Sequence, residues 1–248
     1  MTSLRDKVHL SRFIKNLARR RTFLYGDGKN NHPAGTERRC DRSDGNRASF
    51  ETFHGKCYIC ENKKATAYQI EHLIPHRDNR KLKYDWENLF WSCAHCNNIK
   101  SDKYEPILDC TKENVERLIA FRKKGYFGTE ENLEFLPLIE NNKAVENTIL
   151  LLNNVYYGTT PQKEFEARVI RKELRKELTQ FKEYVREYQE AEDEDEKEDV
   201  ELLIKRELKD SSAFTAFKRW LIWDNRIYSE LEKYIPEAKA PSIGKNEY

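Results

Sequence analysis

The chain has 248 residues, of which 38% are apolar and 35% are charged, and its formal net charge is +2. A chain of this length and apolar content can bury a hydrophobic core, so its fold does not require disulfide bonds. Its sequence contains no run of about 18 apolar residues, the pattern of a membrane-spanning helix, and its N-terminus lacks the pattern of a secretory signal. We therefore expect a cytoplasmic protein.

The charge is unevenly distributed along the chain. Residues 1–110 carry 21 Lys and Arg against 14 Asp and Glu, whereas residues 111–248 carry 24 against 29. A basic N-terminal half joined to an acidic C-terminal half suggests a portion that binds a polyanion such as nucleic acid. A charged surface that is merely solvated would give the same counts and is the alternative.

The first predicted element is a basic amphipathic helix over residues 4–24. Apolar residues recur there near helical spacing, with Lys and Arg between them. Residues 26–47 are rich in Gly, Asn and Asp and are predicted to form a loop. The helix and the loop make up a predicted N-terminal region, residues 1–50.

Four of the six cysteines form two C-x-x-C pairs, Cys57 with Cys60 and Cys93 with Cys96. A C-x-x-C turn presents two thiolates to one cation, and two such turns complete the tetrahedral four-sulfur shell of a structural zinc site. Sulfur then fills every position, so the ion has none left for water or substrate. We predict a structural zinc site, with a redox dithiol or unligated thiols as the alternative.

The residues between the two cysteine pairs carry further polar candidates. Alternation through residues 67–70 predicts a short strand that ends at Glu71 and His72, and Pro75 is expected to stop regular structure. A polar, basic loop is predicted to run from there to Asn88. Adjacent side chains on an extended segment point to opposite faces, so one of the pair can bind a metal while the other faces water or substrate.

The C-terminal half is predicted to be helical. Helices are expected over residues 113–124 and 142–153, and Pro161 is expected to open a long helix whose apolar residues recur as far as Tyr188. The acidic run at 190–199 is predicted to be a solvated face or loop, with a charge-matched docking surface as the alternative.

Apolar periodicity resumes at residues 200–208 and continues past residue 214, which favours a helical bundle. The expected fold class is therefore α+β and predominantly α. A small zinc-containing core at 51–110 is expected between the N-terminal region, 1–50, and the helical region, 111–248.

The motifs of the central region resemble those of one family. Their order is CYIC at 57–60, IEHLIP at 70–75, NL at 88–89 and CAHCNNIK at 93–100. This order and spacing are similar to the HNH endonuclease motif, in the subgroup whose hairpin-and-helix site is supported by a four-cysteine zinc. The resemblance implies a ββα-metal core that hydrolyses phosphodiester bonds of nucleic acid.

Carried over position by position, the resemblance implies a role for each motif residue. His72 becomes the general base, and Asn88 becomes the asparagine that holds the loop and orients the histidine. Glu71 and Asn97 become the ligands of a catalytic cation. Glu71 stands where the family more often has Asp, and Asn97 stands where many members have His, but both residues keep an oxygen donor.

Four further polar residues are weaker candidates. Arg77 and Lys100 are expected to contact nucleic acid, and a solvated side chain is the alternative for Lys100. His76 and His95 are second choices for the motif histidine. His95 is expected to lie at the surface of the zinc knuckle.

The chemistry of phosphodiester hydrolysis needs residues of these types. A neutral imidazole can take a proton from water near neutral pH, and a cation can neutralise the charge of the scissile phosphate. A carboxylate from Glu71 and an amide oxygen from Asn97 make a hard site that suits Mg²⁺ or Mn²⁺. We therefore expect two different metals, a catalytic Mg²⁺ or Mn²⁺ and a structural Zn²⁺.

A weaker resemblance extends beyond the motif, through YDWENLFWSC at 84–93, ILD at 107–109 and the helical tail. This layout is similar to the HNH nuclease subunits of Septu-type antiphage defence systems, including retron-associated ones. It implies an ABC-like ATPase partner and a C-terminal half that docks or regulates, although that half could merely complete the core.

Two other functions stay open at this point. One is a stand-alone restriction-type HNH endonuclease, and the other is a non-catalytic zinc-stabilised protein that binds nucleic acid. DNA is favoured as the substrate, with tRNA or other RNA as the alternative, because a basic surface follows either backbone.

Overall fold

The computed structural model describes residues 42–124 and 132–236, with side chains from residue 47 onward. The helix predicted at 4–24 lies outside the described residues, as does most of the loop predicted at 26–47. The chain divides into two compact units, Met1–Arg47 and Ala48–Tyr248. A helix, α1 (Arg42–Thr52), occupies the last residues of the predicted loop and continues into the second unit.

The first part of the second unit is built on a hairpin and the helix that follows it. Strands β1 (Tyr68–His72) and β2 (Leu89–Cys93) pair antiparallel, with His72 opposite Leu89. Strand β2 runs directly into helix α3 (Ala94–Lys100). The strand predicted to end at His72 is therefore confirmed, and two strands followed by a helix form the expected arrangement.

The connection between β1 and β2 holds more regular structure than the sequence predicts. It contains a short helix, α2 (Arg80–Lys83), and a 3₁₀ turn at Trp86–Asn88. The Asn79 side chain caps α2, and the Asp85 side chain caps the 3₁₀ turn. Such caps satisfy backbone N–H groups that a short helix leaves unpaired. They give this connection a defined path back to β2.

Residues 113–124 do not form one helix, so that prediction is wrong. A single helical turn, α4 (Val115–Leu118), is followed by β3 (Ile119–Lys124), which pairs antiparallel with β4 (Asn132–Pro137). Short apolar runs are compatible with either a helix or a strand. Here β4 supplies the backbone partners, which the local sequence of β3 does not reveal.

Four longer helices complete the second unit, followed by a 3₁₀ segment at Arg226–Tyr234. They are α5 (Lys143–Tyr157), α6 (Pro161–Glu190), α7 (Glu194–Glu207) and α8 (Thr215–Trp223). The helices predicted at 142–153 and from Pro161 are confirmed. The Thr160 hydroxyl caps α6 by accepting a hydrogen bond from the Lys163 N–H at 3.2 Å. None of the described helices combines the length and the apolarity that a membrane crossing needs.

The acidic run at 190–199 is exposed along most of its length but is not a loop throughout. Helix α7 begins inside it at Glu194, and the Asp193 carboxylate caps the helix by accepting from the Glu196 N–H at 2.8 Å. Acidic residues in a first helical turn interact favourably with the helix dipole. The prediction of a solvated face is confirmed, and the prediction of a loop is wrong from residue 194 onward.

The cysteine region and the C-terminal helices share one hydrophobic core. Its buried residues include Cys57, Ile99 on α3, Phe135 on β4, Val155 on α5 and Trp220 on α8. A smaller core lies between α6, α7, α8 and the 3₁₀ segment. The described fold is α+β and mostly helical, as predicted, and its main core continues across residue 110.

Two buried cations in α8 join distant helices. Lys218 has no exposed surface, and its Nζ donates to Glu177 Oε2 at 3.2 Å and Glu207 Oε2 at 2.6 Å. Arg219 bonds to Glu116 Oε1 at 2.6 Å. Buried charges are tolerated when they are paired and hydrogen-bonded. These ion pairs therefore fix α8 against α4, α6 and α7.

The turn between α5 and α6 generates a prediction about stability. Gly158 has a φ of +80°, and a Cβ at this position would lie 2.3 Å from the Glu164 backbone nitrogen. A backbone conformation of this kind strains a residue with a side chain, and a clash with backbone cannot be relieved by a rotamer change. We expect Gly158→Ala to lower the free energy of unfolding by about 1–3 kcal/mol in chemical denaturation.

Gly55→Ala is the matched control for this experiment. Gly55 has a similar φ of +70°, but a Cβ there would meet the ring of Phe50, which is half-exposed and able to move. We expect the smaller loss of stability at Gly55. A loss at Gly158 that did not exceed the loss at Gly55 would contradict the role assigned to the backbone clash.

Candidate functional site

Four cysteine sulfurs meet beside the hairpin. Cys57 and Cys60 lie in the turn that precedes β1, Cys93 ends β2, and Cys96 lies in the first turn of α3. All four are buried, and their Sγ atoms lie within 4.8 Å of one another. The predicted grouping of the two C-x-x-C pairs is confirmed.

The cluster fits a zinc ion. Zn–S bonds of about 2.3 Å in a tetrahedron place the sulfurs about 3.8 Å apart, and the Cys60 and Cys93 Sγ atoms are 3.9 Å apart. Burial raises the pKa of the Cys60 and Cys96 thiols well above their ordinary value, whereas at Cys57 burial is outweighed by hydrogen bonds with the other three cysteines, which lower its pKa. Four thiolates therefore need a compensating cation at this position. Zinc bound by the four sulfurs would hold the turn, the hairpin and α3 together.

One face of β1 docks on α3 through two polar pairs. Gln69 and Glu71 lie on the same face of the strand because side chains alternate, and Asn97 and Lys100 lie about one turn apart on the helix. Asn97 Nδ2 donates to Gln69 Oε1 at 2.5 Å, and Lys100 Nζ donates to Glu71 Oε1 at 2.6 Å. His72 follows Glu71 and projects from the opposite face of β1.

The Glu71 carboxylate is buried, and both of its oxygens accept hydrogen bonds. Its Oε1 accepts from Lys100, and its Oε2 accepts from the Tyr58 hydroxyl at 2.5 Å. Lys100 has no exposed surface, and its Nζ also donates to the His72 carbonyl oxygen at 2.8 Å. Burial raises the pKa of Glu71, while the charge and hydrogen bond of Lys100 act in the opposite direction.

The imidazole of His72 lies half-exposed at the end of β1, with one nitrogen fixed. Its Nε2 lies 3.0 Å from the Lys83 carbonyl oxygen. A carbonyl oxygen only accepts, so Nε2 carries the proton and Nδ1 of the neutral ring keeps its lone pair. The His76 ring stands edge-on to this imidazole, with 4.8 Å between the ring centroids. An oriented ring with one nitrogen able to accept a proton meets the requirement for a general base.

Asn88 ties together the two ends of the loop that surrounds His72. Its Oδ1 accepts from the Ile74 N–H at 2.7 Å, and its Nδ2 donates to the carbonyl oxygens of Ile74 at 2.9 Å and Leu82 at 3.0 Å. Leu82 directly precedes Lys83, whose carbonyl holds the His72 ring. Buried Asn88 thus acts on the orientation of the histidine through the backbone of the loop.

The two predicted ligands of the catalytic cation differ in what they can offer. Asn97 is half-exposed and uses its Nδ2, so its Oδ1 faces no bonded donor among the described residues. Glu71 is 5% exposed and already holds the Lys100 ammonium. A divalent cation on this carboxylate would lie against that ammonium, and like charges repel strongly where water is excluded. In this arrangement the pair does not fit a divalent cation.

The two predicted nucleic-acid contacts also differ. The Arg77 side chain is 65% exposed, and its guanidinium donates to Glu105 Oε2 at 2.8 Å. Lys100 is fully buried, and its Nζ faces Glu71 and His72. In this conformation Lys100 does not reach a phosphate outside the protein. The exposed cations of α2 are not among the predicted nucleic-acid contacts, although the run RKLK at 80–83 shows them in the sequence.

His95 is buried, so its predicted place at the surface of the knuckle is wrong. Its Nδ1 lies 2.7 Å from Glu166 Oε2 on α6, and its Nε2 lies 2.8 Å from the Val155 carbonyl oxygen on α5. Glu166 also accepts from Lys163 at 2.7 Å. Burial opposes ionisation of Glu166, but the hydrogen bonds from Lys163 and His95 lower its pKa. His95 therefore joins α3 to the C-terminal helices.

Loss of one sulfur should remove the zinc. We expect Cys93→Ala to lose bound zinc and to melt at a lower temperature, because metal binding at such a site contributes directly to folding. Elemental analysis and a thermal melt measure the two effects. Cys110→Ala is the control, since Cys110 is exposed and lies outside the cluster. Full zinc content and an unchanged melt for Cys93→Ala would contradict the site.

Truncation of Asn88 should loosen the loop. Asn88→Ala leaves the N–H and C=O of Ile74 and the C=O of Leu82 without their side-chain partner. Leaving a buried polar group unpaired costs about 1–3 kcal/mol, and chemical denaturation measures the loss. Asn79→Ala is the control, because it removes only the exposed cap of α2, worth about 1 kcal/mol. Equal losses for the two variants would refute the central role of Asn88.

The region that holds the cysteine cluster and His72 is similar to known proteins. Residues 57–103 match the family model described as HNH endonuclease. Septu protein PtuB of Bacillus thuringiensis is 33% identical over 70 residues, a stretch that covers 26% of this chain and 27% of that protein. The chain thus spans about a quarter of the length of the curated relative that it matches. No solved structure matches the chain. Residues 57–103 are therefore the part of the chain that is similar to HNH endonucleases.

Proposed function

We propose that this protein is an HNH nuclease that hydrolyses phosphodiester bonds of nucleic acid, with DNA as the favoured substrate and Mg²⁺ or Mn²⁺ as the required cation. The observation that carries the proposal is the state of His72. Its Nε2 is fixed on the Lys83 carbonyl, and its Nδ1 is left to accept a proton. The match of the surrounding residues to the HNH endonuclease family supports the same activity.

In the proposed reaction, His72 Nδ1 takes a proton from a water molecule. The water oxygen forms a bond to phosphorus, and the bond from phosphorus to the leaving sugar oxygen breaks with its electron pair. The leaving oxygen then takes up a proton. One water molecule is consumed, and the cut strand has one phosphate end and one hydroxyl end. The contribution of the protein is to hold the imidazole in one tautomer and one orientation, because a general base must lie within hydrogen-bond reach of the proton that it takes.

The exposed cations around His72 support nucleic acid as the substrate class. Helix α2 carries three cations in four residues, Arg80, Lys81 and Lys83, and the carbonyl that holds His72 belongs to the last of them. Arg77 precedes this helix and is exposed. Lys and Arg side chains of this kind neutralise backbone phosphates of DNA and of RNA.

We further propose that the nuclease is the effector of an antiphage defence complex and that it works with an ABC-like ATPase subunit. The similarity to Septu protein PtuB, which is 33% identical over 70 residues, supports this role. The C-terminal helices would then carry the partner surface. Coexpression with an ABC-like ATPase encoded by the adjacent gene, followed by size-exclusion chromatography, tests the proposal. Comigration of the two proteins at a defined stoichiometry supports it, and separate elution contradicts it.

Replacement of the proposed base tests the activity itself. We expect His72→Ala to lower the cleavage rate by at least about a hundredfold, because general-base catalysis contributes about 10²–10⁴-fold. Zinc content and thermal stability should stay those of the wild-type protein. The assay follows plasmid DNA and total RNA in Mg²⁺ and in EDTA, with and without the ATPase subunit.

His54→Asn is the matched control for that assay. His54 is exposed, lies outside the site and has a φ of 53°, a conformation that Asn tolerates. Its rate should equal the wild-type rate. Wild-type cleavage by a metal-replete His72→Ala protein would refute the assignment. Binding of nucleic acid without cation-dependent cleavage by the wild type would instead identify a non-catalytic binding protein.

A further inference from the structure

We infer that Glu71 does not bind the catalytic cation and that buried Glu71 and Lys100, together with the partly buried Tyr58, form a triad that positions His72. The inference rests on the proposed nuclease function, since it assigns a role to residues beside the proposed base. It departs from the ligand role that the family resemblance implies for Glu71. It also gives Lys100 a role other than contact with nucleic acid.

The hydrogen bonds of the triad form a continuous chain. The Tyr58 hydroxyl donates to Glu71 Oε2 at 2.5 Å, and Lys100 Nζ donates to Glu71 Oε1 at 2.6 Å. The same Nζ donates to the His72 carbonyl oxygen at 2.8 Å. One carboxylate thus connects the cysteine turn, strand β1 and helix α3. Each oxygen of the carboxylate accepts one hydrogen bond, and the ammonium uses two of its three donors, on Glu71 and on the His72 carbonyl oxygen.

Burial decides the role of the carboxylate. Glu71 is 5% exposed and Lys100 is 0% exposed. Removal of either partner would leave the other as an unpaired buried charge, which is strongly unfavourable. A divalent cation at Glu71 would have to displace the ammonium or approach it closely. The ammonium already supplies the positive charge that this carboxylate requires.

The triad reaches the base through the main chain. Lys100 holds the carbonyl oxygen of His72, and Lys83 holds the imidazole through its own carbonyl oxygen. The backbone and the ring of the same residue are therefore fixed from two different elements, α3 and the loop. Lys100 touches neither the reacting nitrogen nor solvent, so it is a positioning residue. Loss of this support should reduce the turnover rate more than it reduces substrate binding.

A pair of lysine variants tests the positioning role. Lys100→Met and Lys218→Met each remove a fully buried ammonium that is bound to carboxylate, but Lys218 lies in the C-terminal helices away from His72. For the folded, zinc-loaded proteins we expect Lys100→Met to lower kcat at least about tenfold with KM within about twofold. Lys218→Met should keep the wild-type kcat. Equal kcat values for the two variants would overturn the inference.

The double variant Glu71→Gln/Lys100→Met keeps the test valid if Lys100→Met alone does not fold. Removing both charges avoids the unpaired carboxylate, so the double variant should regain wild-type zinc content. Its kcat should still be at least about tenfold below the wild-type value, because the His72 carbonyl has lost its donor. A wild-type kcat in the folded double variant would overturn the positioning role.

A cation titration tests whether Glu71 is a ligand. We expect Glu71→Gln to require the same Mn²⁺ concentration as the wild type for half-maximal cleavage, within about twofold, since the carboxylate does not hold the cation. An increase of about tenfold or more would show that Glu71 is a ligand. That result would overturn the inference, whatever the effect of Glu71→Gln on kcat.

A measurement without substrate separates this inference from the proposed function. The protons of a buried, hydrogen-bonded lysine ammonium exchange slowly with water, so that its ¹⁵N-linked signal can be observed by NMR. The absence of this signal from the spectrum of Lys100→Met assigns it to Lys100. We expect this signal to persist in saturating Mg²⁺. Its loss on addition of Mg²⁺ would show that the cation takes the carboxylate. A wild-type protein that cleaves no nucleic acid would refute the proposed function, while this signal would still decide the state of Glu71.

Discussion

The need to compensate buried thiolates with one cation is the constraint on which the rest of the site depends. The four sulfurs come from the turn before β1, the end of β2 and the first turn of α3, so a zinc ion among them would fix the three parts at once. The same residues belong to the main hydrophobic core, and the Tyr156 hydroxyl on α5 donates to the Cys60 carbonyl at 3.0 Å. A zinc ion would thus hold α3 on one side, and the helical half of the chain packs against it on the other.

Once α3 is fixed, buried polar contacts set the geometry around His72. Asn88 holds the loop that carries the Lys83 carbonyl, and Lys100 holds the His72 carbonyl. The Asn88 and Lys100 side chains are buried and have little water to bond instead, which strengthens both contacts. His95 extends the same principle to α5 and α6 through Val155 and Glu166. A change in the helical half therefore has a direct structural route to the helix that carries Asn97.

Much of the site could be predicted because its candidate ligands and its candidate base lie in short motifs with a fixed order and spacing. The two cysteine pairs, the strand that ends at His72 and the long helix from Pro161 follow from local spacing and periodicity. The local sequence of 113–124 predicts a helix, and this prediction is wrong because the strand partner of Ile119–Lys124 lies beyond residue 131. The composition of the acidic run predicts a solvated face or a loop, and the structure has a largely exposed face on which Asp193 caps a helix.

By itself, the sequence determined which residues can bind zinc, which histidine ends the first strand and where the two helices after residue 141 begin, since ligand type, spacing and period are local properties. Only the tertiary structure decided which polar side chains are buried and with which partners. It placed Lys100 inside against Glu71 and His95 against two helices more than 50 residues away along the chain. The reason is physical: the cost of burying a charge and its compensation by a partner depend on neighbours that the chain brings together only when it folds.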